Sequence, residues 1–102
     1  MEQNKRYEVT ILLPAYNEAG VIGETIRAIR ALHPDFEILV VDDGSTDNTM
    51  REAMDAGANV WPHPYNMGNG AAIKSGLRCA RGEWVLMMDA DGQHKPEDIA
   101  RL

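Results

Sequence analysis

The chain has 102 residues, 44% of them hydrophobic and 25% charged, which fits one folded domain and excludes a collagen-like, low-complexity or wholly disordered chain. Its 16 acidic and 10 basic residues leave a net charge of −6, so it lacks a basic footprint to replace phosphate counterions, and nucleic acid is not an expected partner. The same acidity suits the collection of a divalent metal.

In chain order, Val9-Thr-Ile-Leu-Leu13 reads as a buried strand that Pro14 ends. Over residues 18–32 the period becomes helical: Ile22, Ile26, Ile29 and Leu32 form one apolar stripe, Asn17 is the expected N-cap, and His33-Pro34 stops the helix. Ile38-Leu-Val-Val41 is apolar on both faces, as suits a parallel strand covered by helices on each side. In Asp42-Asp-Gly-Ser-Thr-Asp47, Gly44 supplies a turn and Ser45 or Thr46 caps a helix that runs to about Ala56, with Gly57 as its stop. Asn59-Val-Trp61 is a weak third strand, and the prolines and glycines from Pro62 to Gly70 mark an irregular loop. Ile73, Gly76, Leu77 and Ala80 give a helical stripe closed by Gly82, with Gly76 allowing close helix–sheet packing. Glu83-Trp-Val-Leu-Met-Met88 is a fourth strand, Asp89-Ala-Asp-Gly-Gln93 follows it, and Pro96 opens a further helix. Trp61 and Trp84 are expected in the core.

Cys79 is the single cysteine, so no internal disulfide forms, and it reads as a small helix residue. His33, His63 and His94 are too scattered for a zinc pattern. Val9 to Leu13 is too short for a signal-peptide core, and no run approaches the ~20 apolar residues of a membrane span, so a cytoplasmic setting is the expectation.

The alternation of strand and helix predicts an α/β fold: a Rossmann-like, three-layer parallel sheet in the order 3-2-1-4, with strands near 8–13, 37–42, 58–61 and 83–88. Strand 4 beside strand 1 makes a topological switch point, where open α/β sheets bind ligands. The sequence stops about a turn and a half into its last helix, so it is expected to be the N-terminal piece of a longer protein.

Three polar clusters follow three strands: Pro14-Ala-Tyr-Asn-Glu18, Asp42-Asp43 and Asp89-Ala-Asp-Gly-Gln93. The carboxyl ends of parallel strands share one sheet edge, so the clusters converge on one crevice. Taken singly, each has a structural reading. Asn17 and Glu18 begin a helix, and Asp42, Asp43 and Asp47 act as turn and cap residues. Asp89 and Asp91 are the sharpest signal. Residues two apart in an extended segment point the same way, and two carboxylates on one side repel unless a cation or a shared proton relieves them. Mg²⁺ or Mn²⁺ takes such oxygen ligands together with substrate phosphates, and Gln93 adds a neutral oxygen. Asn66-Met-Gly-Asn-Gly-Ala-Ala72 leads into a helix, where glycines let backbone amides approach a phosphate. It is not a dinucleotide fingerprint, because Ile73 stands in place of the third glycine, and it lacks the ending of a P-loop. Lys74 either faces a phosphate or is a solvated lysine.

Leu13-Pro-Ala-Tyr-Asn-Glu18, Val41-Asp-Asp-Gly-Ser-Thr-Asp47, Asn66-x-Gly-x-Gly-Ala71 and Asp89-Ala-Asp91, in that order and at strand ends, resemble the family-2 glycosyltransferases with the GT-A fold over essentially the whole chain. Met88-Asp-Ala-Asp-Gly-Gln93 is most similar to the dolichyl-phosphate mannosyltransferase and bacterial polyprenyl-phosphate glycosyltransferase branch. The resemblance implies a metal-dependent enzyme that moves a sugar, with inversion, from a GDP- or UDP-linked donor to an acceptor such as a polyprenyl or dolichyl phosphate at a membrane surface. It implies that Pro14, Ala15, Tyr16 and Glu18 line the base and ribose, and that Val41, Asp42 and Asp43 reach the base. Asn66, Gly70, Lys74 and Ala90 complete the implied nucleotide site. Asp89, Asp91 and Gln93 are the implied ligands of Mg²⁺ or Mn²⁺, with Asp89 and Asp91 the catalytic pair. Asn69 is a departure, because many relatives carry Lys or Arg there. The second half of the family's domain is absent from the sequence, so residues 1–102 are expected to be a single truncated nucleotide-sugar-binding domain. It is expected to be inactive alone, prone to self-association through apolar surface left at strand 4, and membrane-associated as the full-length protein. The alternative is a phosphoacceptor signalling domain of flavodoxin-like fold, whose acidic pair and lysine Asp42, Asp43 and Lys74 imitate. A nicotinamide dehydrogenase is opposed by the failed glycine fingerprint, whereas a nucleotide-binding module without catalysis stays open.

Overall fold

The computed structural model describes residues 6–90. The helix expected from Pro96, and with it Asp91 and Gln93, lie outside the described residues. The order of elements is β1 (Tyr7–Ala15), α1 (Ile22–Leu32), β2 (Glu37–Asp42), α2 (Thr49–Asp55), β3 (Asn59–Pro62), α3 (Asn69–Cys79) and β4 (Gly82–Met87). All strand pairs are parallel, in the order β3-β2-β1-β4, as the apolar runs and the strand–helix alternation require. β1 pairs with β2 from Thr10↔Glu37 to Ala15↔Asp42 and with β4 from Tyr7↔Gly82 to Leu12↔Met87. Strand 1 therefore runs on through Pro14. The carbonyl of Leu12 accepts from Met88 on the β4 side and that of Ala15 accepts from Asp43 on the β2 side. By alternation the nitrogen of Pro14 faces β4, beyond the last registered β1–β4 pair, where a missing N–H costs no ladder bond.

Two apolar layers cover the sheet. Ile11, Leu13 and Ala15 of β1, Ile38 and Val40 of β2, and Leu86 of β4 pack with Ile22, Ile26 and Ile29 of α1 and Ala53 of α2. Leu12, Leu39 and Val41 face the other way, against Ala72 of α3. Each fully buried isoleucine or leucine contributes roughly 1.5–3 kcal/mol relative to leaving it exposed. α3 lies so close to β1 that a Cβ on Gly76 would run into the side chain of Leu12, which is itself fully buried. Small residues thus define its inner face, and Leu77 points outward, 55% exposed, instead of joining the expected stripe. Leu32 is likewise exposed at the end of α1. Trp61 and Trp84 are half-exposed rather than core, because β3 and β4 are the outer strands of the described sheet.

The helix caps also differ from expectation. α1 starts at Ile22, five residues past Asn17, and Asn17 instead adopts a left-handed backbone with φ 53°. α2 is entered through Asp47, whose Oδ1 accepts from both the amide and the hydroxyl of Thr49. It ends as expected at Gly57, where a φ of 98° lets the amides of Gly57 and Ala58 reach the carbonyls of Met54 and Ala53. Gly82 does not close α3 but opens β4, where its amide donates to Thr10 Oγ1. Cys79 is partly buried at the end of α3, and burial together with the charge of Glu37 pushes its thiol up, away from the reactive thiolate.

At the amino end of the sheet, far from the clusters expected to form the site, Glu37 is buried. Its Oε1 accepts from Thr10 Oγ1 at 2.7 Å and from the Arg81 amide at 2.8 Å, and its Oε2 accepts from Asn59 Nδ2 at 2.9 Å. One carboxylate thereby joins β1, β2, β3 and the turn into β4. Glu37→Ala, which strands three donors, is expected to cost about 3 kcal/mol in urea unfolding, while Glu37→Gln, which keeps an oxygen for Thr10 and Arg81, is expected to cost about 1 kcal/mol.

Candidate functional site

The carboxyl ends of β1 and β2 are locked to each other by hydrogen bonds. Four successive amides after β1 donate to side chains of the segment after β2: Asn17 to Ser45 Oγ (2.9 Å), Glu18 to Thr49 Oγ1 (2.8 Å), Ala19 to Asp47 Oδ2 (3.2 Å) and Gly20 to Glu52 Oε1 (2.7 Å). In return, Asn17 Oδ1 accepts from the Thr46 amide at 2.8 Å. This explains the asparagine: it tolerates the left-handed backbone and carries an acceptor. The hydrogen bond from the Thr49 hydroxyl, outweighing desolvation and aided by the amides of Thr49 and Ala19, holds the Asp47 carboxyl below its ordinary value. Asp42 is also used locally, its Oδ1 accepting from the Ser45 amide at 3.2 Å. Much of the Asp42–Asp47 motif is therefore scaffold for the loop over residues 16–20.

Asp43 has a different task. The register Val41↔Trp61 and Asp42↔Pro62 sets it opposite His63. Its Oδ1 lies 2.7 Å from His63 Nδ1 and 2.9 Å from the Met67 amide, and its Oδ2 is 2.9 Å from the Gly68 amide. Burial pushes the Asp43 carboxyl up, but the hydrogen bonds from His63, Met67 and Gly68 outweigh it and hold the group below the usual carboxylate value. Behind it, His63 Nε2 meets Ser75 Oγ of α3 at 2.8 Å.

Between these anchored loops opens a cleft of about 430 Å³ at the carboxyl edge of the sheet. Its lining comes from Pro14, Ala15, Tyr16 and Glu18 at and after the end of β1, Asp43 after β2, Asn66, Gly68, Asn69 and Ala72 around the start of α3, and Asp89 and Ala90 after β4. Of the residues expected at the site, Pro14, Ala15, Tyr16, Glu18, Asp43, Asn66, Asp89 and Ala90 come together here. Val41 does not line the cleft, being sealed in the α3-side core, and neither does Asp42, whose carboxylate turns into its own loop. Gly70 and Lys74 also fall outside it, on exposed positions of α3. Gly68, Asn69 and Ala72 also line the cleft, all within the Asn66–Ala72 stretch expected to approach a phosphate. They belong to the N-terminal turn of α3, where the Asn69 amide has no helical acceptor, while the Gly68 amide donates to Asp43 and the Ala72 amide to the Gly68 carbonyl. His63 fits no zinc pattern, and its place beside Asp43 depends on the β2–β3 register, which residue spacing alone does not reveal.

Among the described residues no group of three or more His, Cys, Asp or Glu side chains could hold a metal ion. What they offer a cation is hard oxygen: the exposed Asp89 and the half-buried Glu18, both of which line the cleft. That fits a divalent ion completed by substrate phosphates and does not fit a closed protein cage.

A β3-β2-β1-β4 parallel sheet with an anchored cleft at the β1/β4 switch point is the nucleotide-binding half of a GT-A glycosyltransferase fold. Residues 10–102 match Glycosyl transferase family 2, and the chain belongs to that family. It is 38% identical over 98 residues to the uncharacterized protein MJ1222 of Methanocaldococcus jannaschii, covering 93% of this chain and 40% of that protein. It is 37% identical over 105 residues to an undecaprenyl-phosphate 4-deoxy-4-formamido-L-arabinose transferase of Pseudomonas fluorescens, covering 92% of this chain and 31% of the relative. Among solved structures, the mannosyltransferase PcManGT of Pyrobaculum calidifontis, in complex with GDP-Man and Mn²⁺, superposes with a TM-score of 0.76 at 30% identity, over 87% of this chain and 29% of that one. The chain thus spans 31–40% of the length of these curated relatives.

Proposed function

We propose that this chain supplies the donor site of a glycosyltransferase that takes a GDP- or UDP-linked sugar with Mg²⁺ or Mn²⁺ and passes the sugar, with inversion, to a polyprenyl-type lipid phosphate at the cytoplasmic face of a membrane. The observation that carries the reading is the cleft: a polar trough at the switch point, lined by the first turn of α3 and by Asp89. The nucleotide and metal bound to the Pyrobaculum mannosyltransferase and the lipid-phosphate name of the Pseudomonas relative support it.

In this reading Pro14, Ala15 and Tyr16 receive the base and ribose, with half-exposed Tyr16 offering a ring face. The diphosphate lies toward Asn69, the first residue of α3, whose amide has no helical acceptor, whereas that of Gly68 is already given to Asp43. Asp89, with Asp91 and Gln93, holds the cation, which when bound offsets charge on the departing nucleoside diphosphate. A lipid phosphate oxygen is already anionic and needs little help from a general base. The phosphoacceptor alternative is disfavoured: Asp43 already accepts three hydrogen bonds, and β4 rather than β3 flanks β1, unlike the flavodoxin-like order.

Calorimetric titration tests the reading. Mn²⁺ is expected to tighten GDP or UDP binding about tenfold or more, and Asp89→Asn to remove most of that gain while leaving metal-free binding unchanged. Equal affinity in Mn²⁺ and in chelator would refute it.

A further inference from the structure

We propose that His63 is a positioning residue for the donor: acting through Asp43, it fixes the loop over residues 66–69 that forms one wall of the cleft. The proposal rests on the donor-site reading of that cleft. Past the packing of the Tyr65 and Asn66 backbone on Gly44, the loop has little else to hold it. Asn66, Met67 and Asn69 are all exposed, so apolar burial does not define its path. Its fixed points are the amides of Met67 and Gly68, both donated to the Asp43 carboxylate.

That carboxylate is oriented by His63. The histidine side chain is 5% exposed and the Asp43 side chain 7%, so water does not substitute freely for either partner. An ionised carboxylate only accepts, so Nδ1 carries the proton shared with Asp43. In the neutral ring Nε2 is then an acceptor for the Ser75 hydroxyl. The main-chain amide of His63 donates to the Asp42 carbonyl at 2.8 Å, which ties the ring's own backbone to the end of β2. Ser75, His63 and Asp43 share the connectivity of a nucleophilic triad, but neither Ser75 nor His63 lines the cleft. Their role is therefore to orient and not to attack.

Two substitutions separate the ring's contacts. His63→Asn places an amide N–H near the position of Nδ1, whereas His63→Gln reaches the position of Nε2 and leaves Asp43 Oδ1 without that donor. The readouts are amide hydrogen exchange at Met67 and Gly68, which needs no ligand, and titration with GDP and UDP in Mn²⁺. His63→Gln is expected to speed exchange at both amides and weaken nucleotide binding, each about tenfold, while His63→Asn stays within about threefold of the unsubstituted protein. In the unsubstituted protein the Nδ1 proton is expected as a slowly exchanging, strongly downfield resonance, and its absence would overturn the proposal whatever the variants do. Unchanged exchange and binding in His63→Gln, equal losses in both variants, or a loss confined to His63→Asn would each overturn it. If the unsubstituted protein binds neither nucleotide, the donor-site reading fails, and the exchange rates alone decide whether His63 holds the loop.

Discussion

Gly44→Ala is expected to be among the most damaging single-methyl changes in this chain, lowering stability by about 3 kcal/mol or more in urea unfolding. Two costs combine. Gly44 sits at φ +77°, a conformation that penalises any Cβ, and the added carbon would overlap the backbone of Tyr65 and Asn66. Backbone cannot rotate aside as a side-chain tip can, so the loop leading to the cleft must shift with it. Nucleotide binding is therefore expected to fall along with stability. Gly68→Ala is the control: its φ of +100° carries the strain, but no atom lies within 4 Å of the new Cβ, so a cost of about 1–2 kcal/mol is expected. Equal urea midpoints for the two variants would mean that the Gly44 contact with the loop does not matter.

Asp43→Asn should be nearly as costly, at about 2–3 kcal/mol near neutral pH. The carboxylate accepts from His63, Met67 and Gly68, and an amide in its place turns at least one N–H toward another donor. The pH dependence gives this an independent check. The folded-state value of Asp43 is depressed, so its stabilisation is fully present above the ordinary carboxyl value of about 4 and is lost as pH falls through the lower folded value. The stability gap between the native protein and Asp43→Asn is therefore expected to narrow as the pH falls below about 4. Urea midpoints measured across that range check this, and a gap that persists undiminished into strong acid would show that the ionised form is not what matters.

The sheet was legible because its signals are local and redundant. Ile38 to Val41 are apolar on both faces, and each strand is followed by a helical stripe and then another strand, so class and order follow together. The three polar clusters after β1, β2 and β4 met in one cleft for the same reason, since parallel strands end on a common edge. What spacing did not disclose is which acceptor each polar side chain finds. Asn17 looked like a helix cap and instead grips Thr46 across the cleft edge. Asp42 and Asp43 are adjacent and chemically identical, yet pleat alternation turns one into its own turn and the other onto His63. The partner of Asp43 follows from a β2–β3 register that only the folded chain fixes. Leu77 fits a helical stripe by spacing, but α3 approaches the sheet through Ala72 and Gly76, and that rotation leaves Leu77 in solvent.

The proposed donor site places a nucleoside diphosphate in the cleft at the β1/β4 switch point, with a divalent ion at Asp89. Paramagnetic broadening by Mn²⁺ in backbone-amide spectra, recorded with and without GDP or UDP, tests it most directly. With nucleotide present, substoichiometric Mn²⁺ is expected to broaden the amides of Ala15, Tyr16, Gly68, Asn69, Asp89 and Ala90 first, and to do so far less without it. Broadening that ignores the nucleotide and spreads over the acidic surface around Glu24, Asp35 and Asp55, while the cleft amides stay sharp, would contradict a donor site here.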